Sequence, residues 1–444
     1  MKPNRVTRCV NHLAIHLVTH RVSHRVTYLV TRRVTQAGSS LAAMLLAHML
    51  AACGGTDSSQ TSLESGNRAA AAASANAEPG AMALLGRQIF FDASLSASGK
   101  MACASCHDPA FAFAQPNALA AQFGGSTLQQ QGLRAVPSLR YLGLTPVFSI
   151  DEGGTASGGF NRDGRAATLA SQAEQPFLAT HEMANESRAA LVARLRAAPY
   201  AQQFESLLGS GIFEQVDLAF EGVLNALQRY QIEDRSFHPY SSRYDRYLSG
   251  EASLSTAELR GLALFNDAAK GNCAACHPSA RGSDGAAPLF TDFTYDNLGL
   301  PRNPAIAANV DPRFFDLGLC GPDRTDLASA ATARTELCGA FKVPTLRNVA
   351  TRKVFFHNGS LRTLRDAVAF YVRRDTHPQE WYTPGIDGLP EKFNDLAPAL
   401  QGNVNSAEGP YDRQPGMAPA LTADEIDDLV LFLGTLTDVD LARP

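Results

Sequence analysis

Two Cys-x-x-Cys-His runs constrain this 444-residue chain more than any other feature. They extend from Cys103 to His107 and from Cys273 to His277. In a c-type haem site the two cysteines form thioethers to the porphyrin, and the adjacent histidine binds the iron. A zinc site is the alternative, but zinc-binding pairs usually lie closer together in sequence. We therefore predict two covalently bound haem c groups, held by Cys103, Cys106, His107, Cys273, Cys276 and His277.

The first 53 residues have the composition of an export signal. Residues 1–37 contain many Arg and His but no Asp or Glu, and an apolar stretch follows over 41–50. That stretch is too short to span a bilayer and is typical of a signal-peptide core. It leads to Cys53 in a sequence that resembles a lipobox, although ordinary cleavage after Ala52 is the alternative. We predict a periplasmic protein anchored to the membrane by a lipid on Cys53.

The remaining chain contains an internal repeat. A flexible linker is predicted over 54–80, because the segment is rich in Ala, Ser and Gly and lacks apolar periodicity. The pattern Leu-x-Gly-x-x-x-Phe then precedes each haem run, from Leu84 to Phe90 and from Leu259 to Phe265. The repeat predicts an N-terminal haem domain over 81–250 and a C-terminal one over 251–444.

Helix signals accompany the second copy of the repeat. Ser255 with Glu258, and Thr422 with Glu425, form capping-box patterns that mark helix starts. An apolar stripe at helical spacing follows the second box, and strand-like alternation is scarce. The predicted fold class is therefore all-α, with two cytochrome c-like haem domains in tandem.

Charge and the remaining cysteines narrow the possibilities further. The formal net charge of −4 argues against a general nucleic-acid binder, so no nucleic acid is expected as a partner. Cys320 and Cys338 flank a polar, Ala-rich stretch, and we predict that they form a local disulfide without a redox function. Two haems alone allow either a non-catalytic electron carrier or a peroxidase with one open iron.

Three further motifs accompany the haem runs. They are Phe91 to Ser96 with Phe111-Ala112-Phe113, Asp163 to Ala166 with Gln172 to Met183, and Phe341 to Val349 with Phe356 to Gly359. These motifs resemble those of the bacterial di-haem cytochrome c peroxidases, including the MauG branch, and the resemblance extends from about Leu84 to Thr437. It implies that the N-terminal haem meets hydrogen peroxide and that the C-terminal haem receives electrons from a small cytochrome c or cupredoxin.

The resemblance also implies roles for individual residues. Glu182 matches the glutamate above the open iron, where a carboxylate relays a proton between the peroxide oxygens. Gln172 and Pro176 match residues that line the same pocket. Iron ligation by His181 or Met183 is the alternative, and it would weaken the peroxidase prediction.

Two positions depart from the family pattern. The sixth ligand of the C-terminal haem is generally Met, but the matching residue here is Tyr371, as in MauG; Met417 is the competing ligand. Ala135 stands where the family has a calcium-binding asparagine. Backbone carbonyls near Arg352 and Val354 remain as calcium ligands, so calcium between the haems is a less expected cofactor.

These observations predict a haem peroxidase of the cytochrome c peroxidase type. We expect it to reduce hydrogen peroxide to water with electrons from a small redox protein. The alternatives are a MauG-like enzyme that oxidises side chains of a partner protein, and a di-haem electron carrier without catalysis.

Overall fold

The fold is described from a computed structural model, which covers residues 78–327 and 334–441. The predicted signal region, Cys53 and most of the linker lie outside the described residues. Within these two ranges, no helix has both the length and the apolar character needed to cross a membrane.

Helices make up most of the regular structure in the described ranges. The α-helices are α1 Ala81–Phe91, α2 Cys103–Cys106, α3 Leu169–Leu178, α4 Arg188–Arg196, α5 Ala201–Leu208, α6 Val216–Glu233, α7 Arg243–Leu248, α8 Thr256–Asn266, α9 Leu364–Arg373 and α10 Ala423–Gly434. Short 3-10 helices lie at Ala93–Leu95, Pro109–Phe111, Leu142–Leu144, Ile212–Glu214, Arg235–Phe237, Cys273–Ala275, Ala307–Val310, Thr335–Leu337, Val349–Thr351, Pro378–Glu380 and Pro398–Asn403. For the described residues, the prediction of a mostly helical fold is confirmed.

Three antiparallel strand pairs accompany the helices, each strand only two residues long. They were not predicted, because two residues are too few to give a recognisable alternation. The pairs are β1 Phe123–Gly124 with β2 Gln130–Gln131, β3 Ser149–Ile150 with β4 Ala156–Ser157, and β5 Tyr295–Asp296 with β6 Phe341–Lys342.

The glycine of each Leu-x-Gly-x-x-x-Phe repeat lies at a close contact between two helices. A Cβ on Gly86 of α1 would lie 1.9 Å from the carbonyl oxygen of Ala226 in α6. A Cβ on Gly261 of α8 would lie 2.1 Å from the carbonyl oxygen of Asp428 in α10. Real side chains cannot approach a backbone that closely, so the repeated glycine is what lets each helix pair form.

Two large hydrophobic clusters surround these helix pairs. The first contains residues between Leu85 and Phe237, and the second contains residues between Tyr244 and Leu436. All described residues belong to one compact unit. The clusters agree with the internal repeat, and a domain boundary near residue 250 stays a prediction.

The local signals that the sequence predicted are present. Ser255 and Glu258 form a capping box at the start of α8, and Thr422 and Glu425 form one at the start of α10. The predicted disulfide between Cys320 and Cys338 is also confirmed.

Asp438 connects the two halves of the described chain. Its buried carboxylate accepts hydrogen bonds from the Arg140 guanidinium at 3.0 Å and from the Tyr141 hydroxyl at 2.7 Å. It also accepts from the Asn348 side-chain amide at 2.6 Å. Arg347 stacks over the ring of Tyr141, with its guanidinium carbon 4.7 Å from the ring centre. Asp438, which follows α10, thus connects Arg140 and Tyr141 in the first half of the chain with Asn348 in the second half.

The helix contacts generate a stability prediction. Gly86→Ala or Gly261→Ala should lower the thermal unfolding midpoint of the haem-loaded protein, because the added methyl forces the paired helices apart. Overpacking of this kind typically costs about 1–3 kcal/mol. Gly434→Ala is the matched control, since a Cβ at this helical glycine meets no atom within 4 Å. An equal effect in all three variants would contradict the proposed close contacts.

Candidate active site

Both Cys-x-x-Cys-His runs line one cavity of about 460 Å³. The first run forms α2, and the second begins with the 3-10 turn Cys273–Ala275. Apolar side chains from both hydrophobic clusters complete the wall, including Phe90, Phe177, Phe265 and Leu429.

Cys103, Cys106 and Cys273 have the properties of protonated thiols rather than of reactive ones. Burial raises the pKa of the Cys103, Cys106 and Cys273 thiols to about 12. A redox dithiol needs a lowered pKa, because the thiolate is the nucleophile. The environment therefore argues against a redox dithiol and fits thiols that become thioethers.

Both histidines are oriented by the same kind of hydrogen bond. The Nδ1 atom of His107 donates to the carbonyl oxygen of Phe113 at 2.9 Å, and that of His277 donates to Phe290 at 2.7 Å. A carbonyl can only accept, so Nδ1 carries the proton and Nε2 keeps its lone pair for a metal. Burial lowers the pKa of His107 to about 4 and also lowers that of His277, which keeps both rings neutral. The donor set fits two c-type haems.

A second internal repeat fixes these carbonyls in place. Val-Pro-Ser-Leu-Arg over 136–140 and Val-Pro-Thr-Leu-Arg over 343–347 share one pattern. Ser138 donates from its hydroxyl to the carbonyl of Ala112 at 2.5 Å, and Thr345 donates to Leu289 at 2.6 Å. Each accepting carbonyl directly precedes the one that binds the histidine. This repeat was not predicted from the sequence, although it is visible when the two haem regions are aligned.

Glu182 lies on the cavity wall near the first haem run. Burial raises its carboxyl pKa to about 7; the Arg165 guanidinium opposes this shift and Asp323 adds to it. The negative charge of Glu182 in turn contributes to the raised pKa of both Cys103 and Cys106. The carboxyl is therefore close to the first haem run and changes protonation near neutral pH.

The backbone around Glu182 is fixed by a glycine hairpin. Gly125 of the β1–β2 turn donates its N–H to the carbonyl of Glu182 at 2.8 Å. A Cβ on Gly124 would lie 2.3 Å from the carbonyl oxygen of His181, so only glycine permits this approach. The Nε2 atom of His181 is 3.7 Å from a Glu182 carboxyl oxygen, and burial lowers the pKa of His181.

The other predicted pocket residues lie on the same wall. Gln172 and Pro176 of α3 line the cavity, and Gln172 donates its side-chain N–H to Asn161 at 3.3 Å. Arg165, which the sequence analysis named only as part of a motif, also lines the cavity. It donates to Gln175 at 2.7 Å and to Asp163 at 2.7 Å, which keeps its charge beside Glu182.

Tyr371 of α9 lies on the cavity wall near the second haem run. Burial, Asp296 and the two cysteines of that run raise its pKa well above the usual range for a tyrosine. Its hydroxyl is therefore neutral unless a positive charge lies beside it. Tyr411, which the sequence analysis missed, also lines the cavity, with its ring centre 6.0 Å from that of Tyr371.

The competing residue Met417 lies elsewhere. Its side chain is 49% exposed, and its sulfur accepts a hydrogen bond from the Gln414 N–H at 3.3 Å. Met417 does not line the cavity, whereas Met183 does and is buried in the first hydrophobic cluster. The positions favour Tyr371 over Met417 as a ligand, and the ligation itself stays a prediction.

The carbonyls at the calcium position implied by the family resemblance accept hydrogen bonds from arginines. Ala135 offers no side-chain oxygen, and its carbonyl accepts a hydrogen bond from Arg162 at 3.0 Å. The carbonyl of Val354 accepts from the Arg352 guanidinium at 3.4 Å. Among residues 78–327 and 334–441, no group of three or more His, Cys, Asp or Glu side chains is arranged to hold a metal ion.

Comparison with known proteins identifies the family. A sequence profile of the di-haem cytochrome c peroxidases matches residues 80–253. The methylamine utilization protein MauG of Paracoccus denitrificans is 37% identical over 365 residues, which cover 81% of this chain and 89% of that protein. The chain belongs to the di-haem cytochrome c peroxidase and MauG family. It is therefore a haem peroxidase-type oxidoreductase with two haem cofactors.

Two further members of the family are similar over most of the chain. The crystal structure of the diheme peroxidase BthA from Burkholderia thailandensis superposes with a TM-score of 0.74 at 41% identity, covering 81% of this chain and 86% of that one. A cytochrome-c peroxidase of Denitromonas iodatirespirans is 29% identical over 301 residues, covering 65% of this chain and 71% of that protein. Relatives thus include both MauG and cytochrome c peroxidases.

The surroundings of Glu182 generate a kinetic prediction. Glu182→Gln should keep both haems but lower peroxide turnover by about 10²–10⁴-fold, the typical worth of a general acid–base group. A base must be ionised to take a proton, so the wild-type rate should rise as pH increases through about 7. The turnover rate of the Glu182→Gln variant should not show this rise with pH. Exposed Glu186→Gln is the control, and unchanged turnover in Glu182→Gln would remove Glu182 from the mechanism.

A spectroscopic prediction concerns the second haem. Tyr371→Met should raise its reduction potential and remove any phenolate-to-iron charge-transfer band, because a thioether is a softer and less electron-rich donor. Met417→Leu and Tyr411→Phe should leave the absorption and electron paramagnetic resonance spectra intact. The assignment fails if Met417→Leu changes the low-spin signal while Tyr371→Phe does not.

Proposed function

We propose that this protein reduces hydrogen peroxide to water with electrons from a small cytochrome c or cupredoxin. The observation that carries the proposal is the Glu182 carboxyl on the wall of the cavity that His107 also lines. Its pKa of about 7 suits a group that both accepts and returns a proton near neutral pH.

In the proposed reaction, peroxide takes up two electrons and two protons and becomes two molecules of water. A bound haem supplies the redox chemistry of its iron. The Glu182 carboxylate takes the proton from one peroxide oxygen and delivers it to the other as the O–O bond breaks. Arg165 holds its charge beside Glu182, which keeps the carboxyl pKa from rising further. Gln172 and Pro176 shape the wall on which peroxide binds.

The haem runs have separate roles in this proposal. Cys103 and Cys106 would bind one haem covalently on the side of Glu182, and Cys273 and Cys276 would bind the other on the side of Tyr371. His107 and His277 would hold the irons through Nε2, since Nδ1 is engaged by a backbone carbonyl in both cases. The haem on the side of Tyr371 would be the one that accepts electrons from the donor protein. We further propose that export to the periplasm and a lipid anchor on Cys53 place the enzyme at the membrane.

A MauG-like oxidation of side chains in a partner protein is the second candidate. Two observations favour it: the 37% identity to MauG and the position of Tyr371 on the cavity wall beside the second haem run. A hard, electron-rich oxygen donor at this place would stabilise oxidised iron. A carrier without catalysis is no longer a candidate, because the family is one of peroxidases.

Steady-state turnover with hydrogen peroxide and a reduced small cytochrome c tests the proposal. The haem-loaded protein should oxidise the cytochrome in a peroxide-dependent manner, with two cytochromes consumed per peroxide. Its mass after denaturation should show two retained haems. Absence of turnover by a fully loaded protein, together with peroxide-dependent oxidation of a partner's side chains, would replace the proposal with the MauG-like alternative.

A further inference from the structure

Two arginines bind adjacent backbone carbonyls on the wall of the haem cavity. Arg162 donates from Nε to the carbonyl of Ala135 at 3.0 Å. Arg352 donates from Nη2 to the carbonyl of Val136 at 3.1 Å and from Nε to that of Val354 at 3.4 Å. Both side chains line the cavity. We call Arg162 and Arg352 together the arginine pair.

The backbone that the arginine pair binds connects the two haem regions. The N–H of Ala135 donates to the carbonyl of His357 at 2.7 Å, in the third motif of the family resemblance. One residue after Val136, the carbonyl of Pro137 is near enough to His107 to raise the pKa of its imidazole against the effect of burial. The arginine pair therefore lies on a segment that reaches both the first haem run and the chain around the second.

Neither guanidinium of the pair has a carboxylate partner within 4.0 Å among the described residues. Asp316, whose charge acts on Arg162, already pairs with Arg134 at 2.6 Å, and Arg134 also pairs with Asp163 at 2.6 Å. Burial lowers the pKa of both guanidinium groups; Arg352 and Arg134 add to the decrease at Arg162, and Asp316 opposes it. No acid acts in this way on Arg352. A buried cation with little compensating negative charge costs several kcal/mol, so such a group normally faces an anion.

A third cation lies near the arginine pair. Lys342 of β6 lines the same cavity, and its Nζ donates to the carbonyl of Gly159. Burial lowers its pKa to about 8, and Arg162 contributes to this decrease. A metal ion would need oxygen ligands and would be repelled by this excess of positive charge.

We propose that Arg162 and Arg352 form a built-in cationic site that replaces a calcium ion between the haems and binds the haem propionates. Planar guanidinium groups bind carboxylates through paired N–H donors, which suits propionates better than a spherical charge does. The remaining guanidinium N–H groups supply these donors. The inference rests on the two haem cofactors of the family and not on the proposed reaction.

Reduction potentials test the inference directly. Arg352→Met and Arg162→Met should lower the potential of at least one haem in spectroelectrochemical titrations, because removing a nearby positive charge favours ferric iron. Arg352→Lys should retain most of the wild-type potential, since it keeps the charge. Arg313→Met is the control, because that side chain is 89% exposed. Should a methionine variant fail to bind haem, the comparison of Arg352→Lys with Arg352→Gln decides the question.

Calcium dependence provides the second measurement. Elemental analysis of the wild-type protein should find less than one calcium per chain, and treatment with EGTA should change neither the spectrum nor the potentials. One retained calcium whose removal changes the spectrum would overturn the proposal. It would also be overturned if Arg352→Met and Arg162→Met lowered the thermal midpoint but left both potentials unchanged, since the arginines would then only cap carbonyls.

Discussion

The hydrogen bond from a histidine Nδ1 to a backbone carbonyl is the interaction on which both haem sites depend. It fixes the ring orientation and leaves Nε2 as the only nitrogen able to bind metal. The carbonyls of Phe113 and Phe290 are held in turn, because Ser138 and Thr345 bind the residues just before them. The repeated Val-Pro-(Ser or Thr)-Leu-Arg segments therefore help to fix the backbone that orients each histidine.

Both haem sites have this hydrogen-bonded backbone, but different side chains line the cavity near each haem run. A carboxyl that titrates near neutral pH lies near the first haem run, whereas two tyrosines with raised pKa line the second. Carboxyl chemistry suits proton transfer, and a phenol suits stabilisation of oxidised iron. The proposed division of labour between the two haems would thus correspond to a difference in a few side chains on a repeated backbone.

Sequence reasoning succeeded where the signal was local and failed where it depended on distant contacts. The capping boxes, the Cys320–Cys338 disulfide and the Leu-x-Gly-x-x-x-Phe repeat could all be read from short patterns. The role of the repeated glycine could not, because its partners Ala226 and Asp428 are more than a hundred residues away. Tyr411 and the side-chain contacts of the arginine pair were missed for the same reason, since nothing in their immediate sequence indicates a shared cavity.

The buried carboxylate of Asp438 has a consequence for how the protein assembles. It accepts hydrogen bonds from Arg140 and Tyr141, which belong to the first half, and from Asn348 in the second. Neither half can complete its polar contacts until the segment after α10 has docked. A protease cut just before Asp438 would therefore remove polar contacts from both halves at once, so the two halves would be expected to lose stability together.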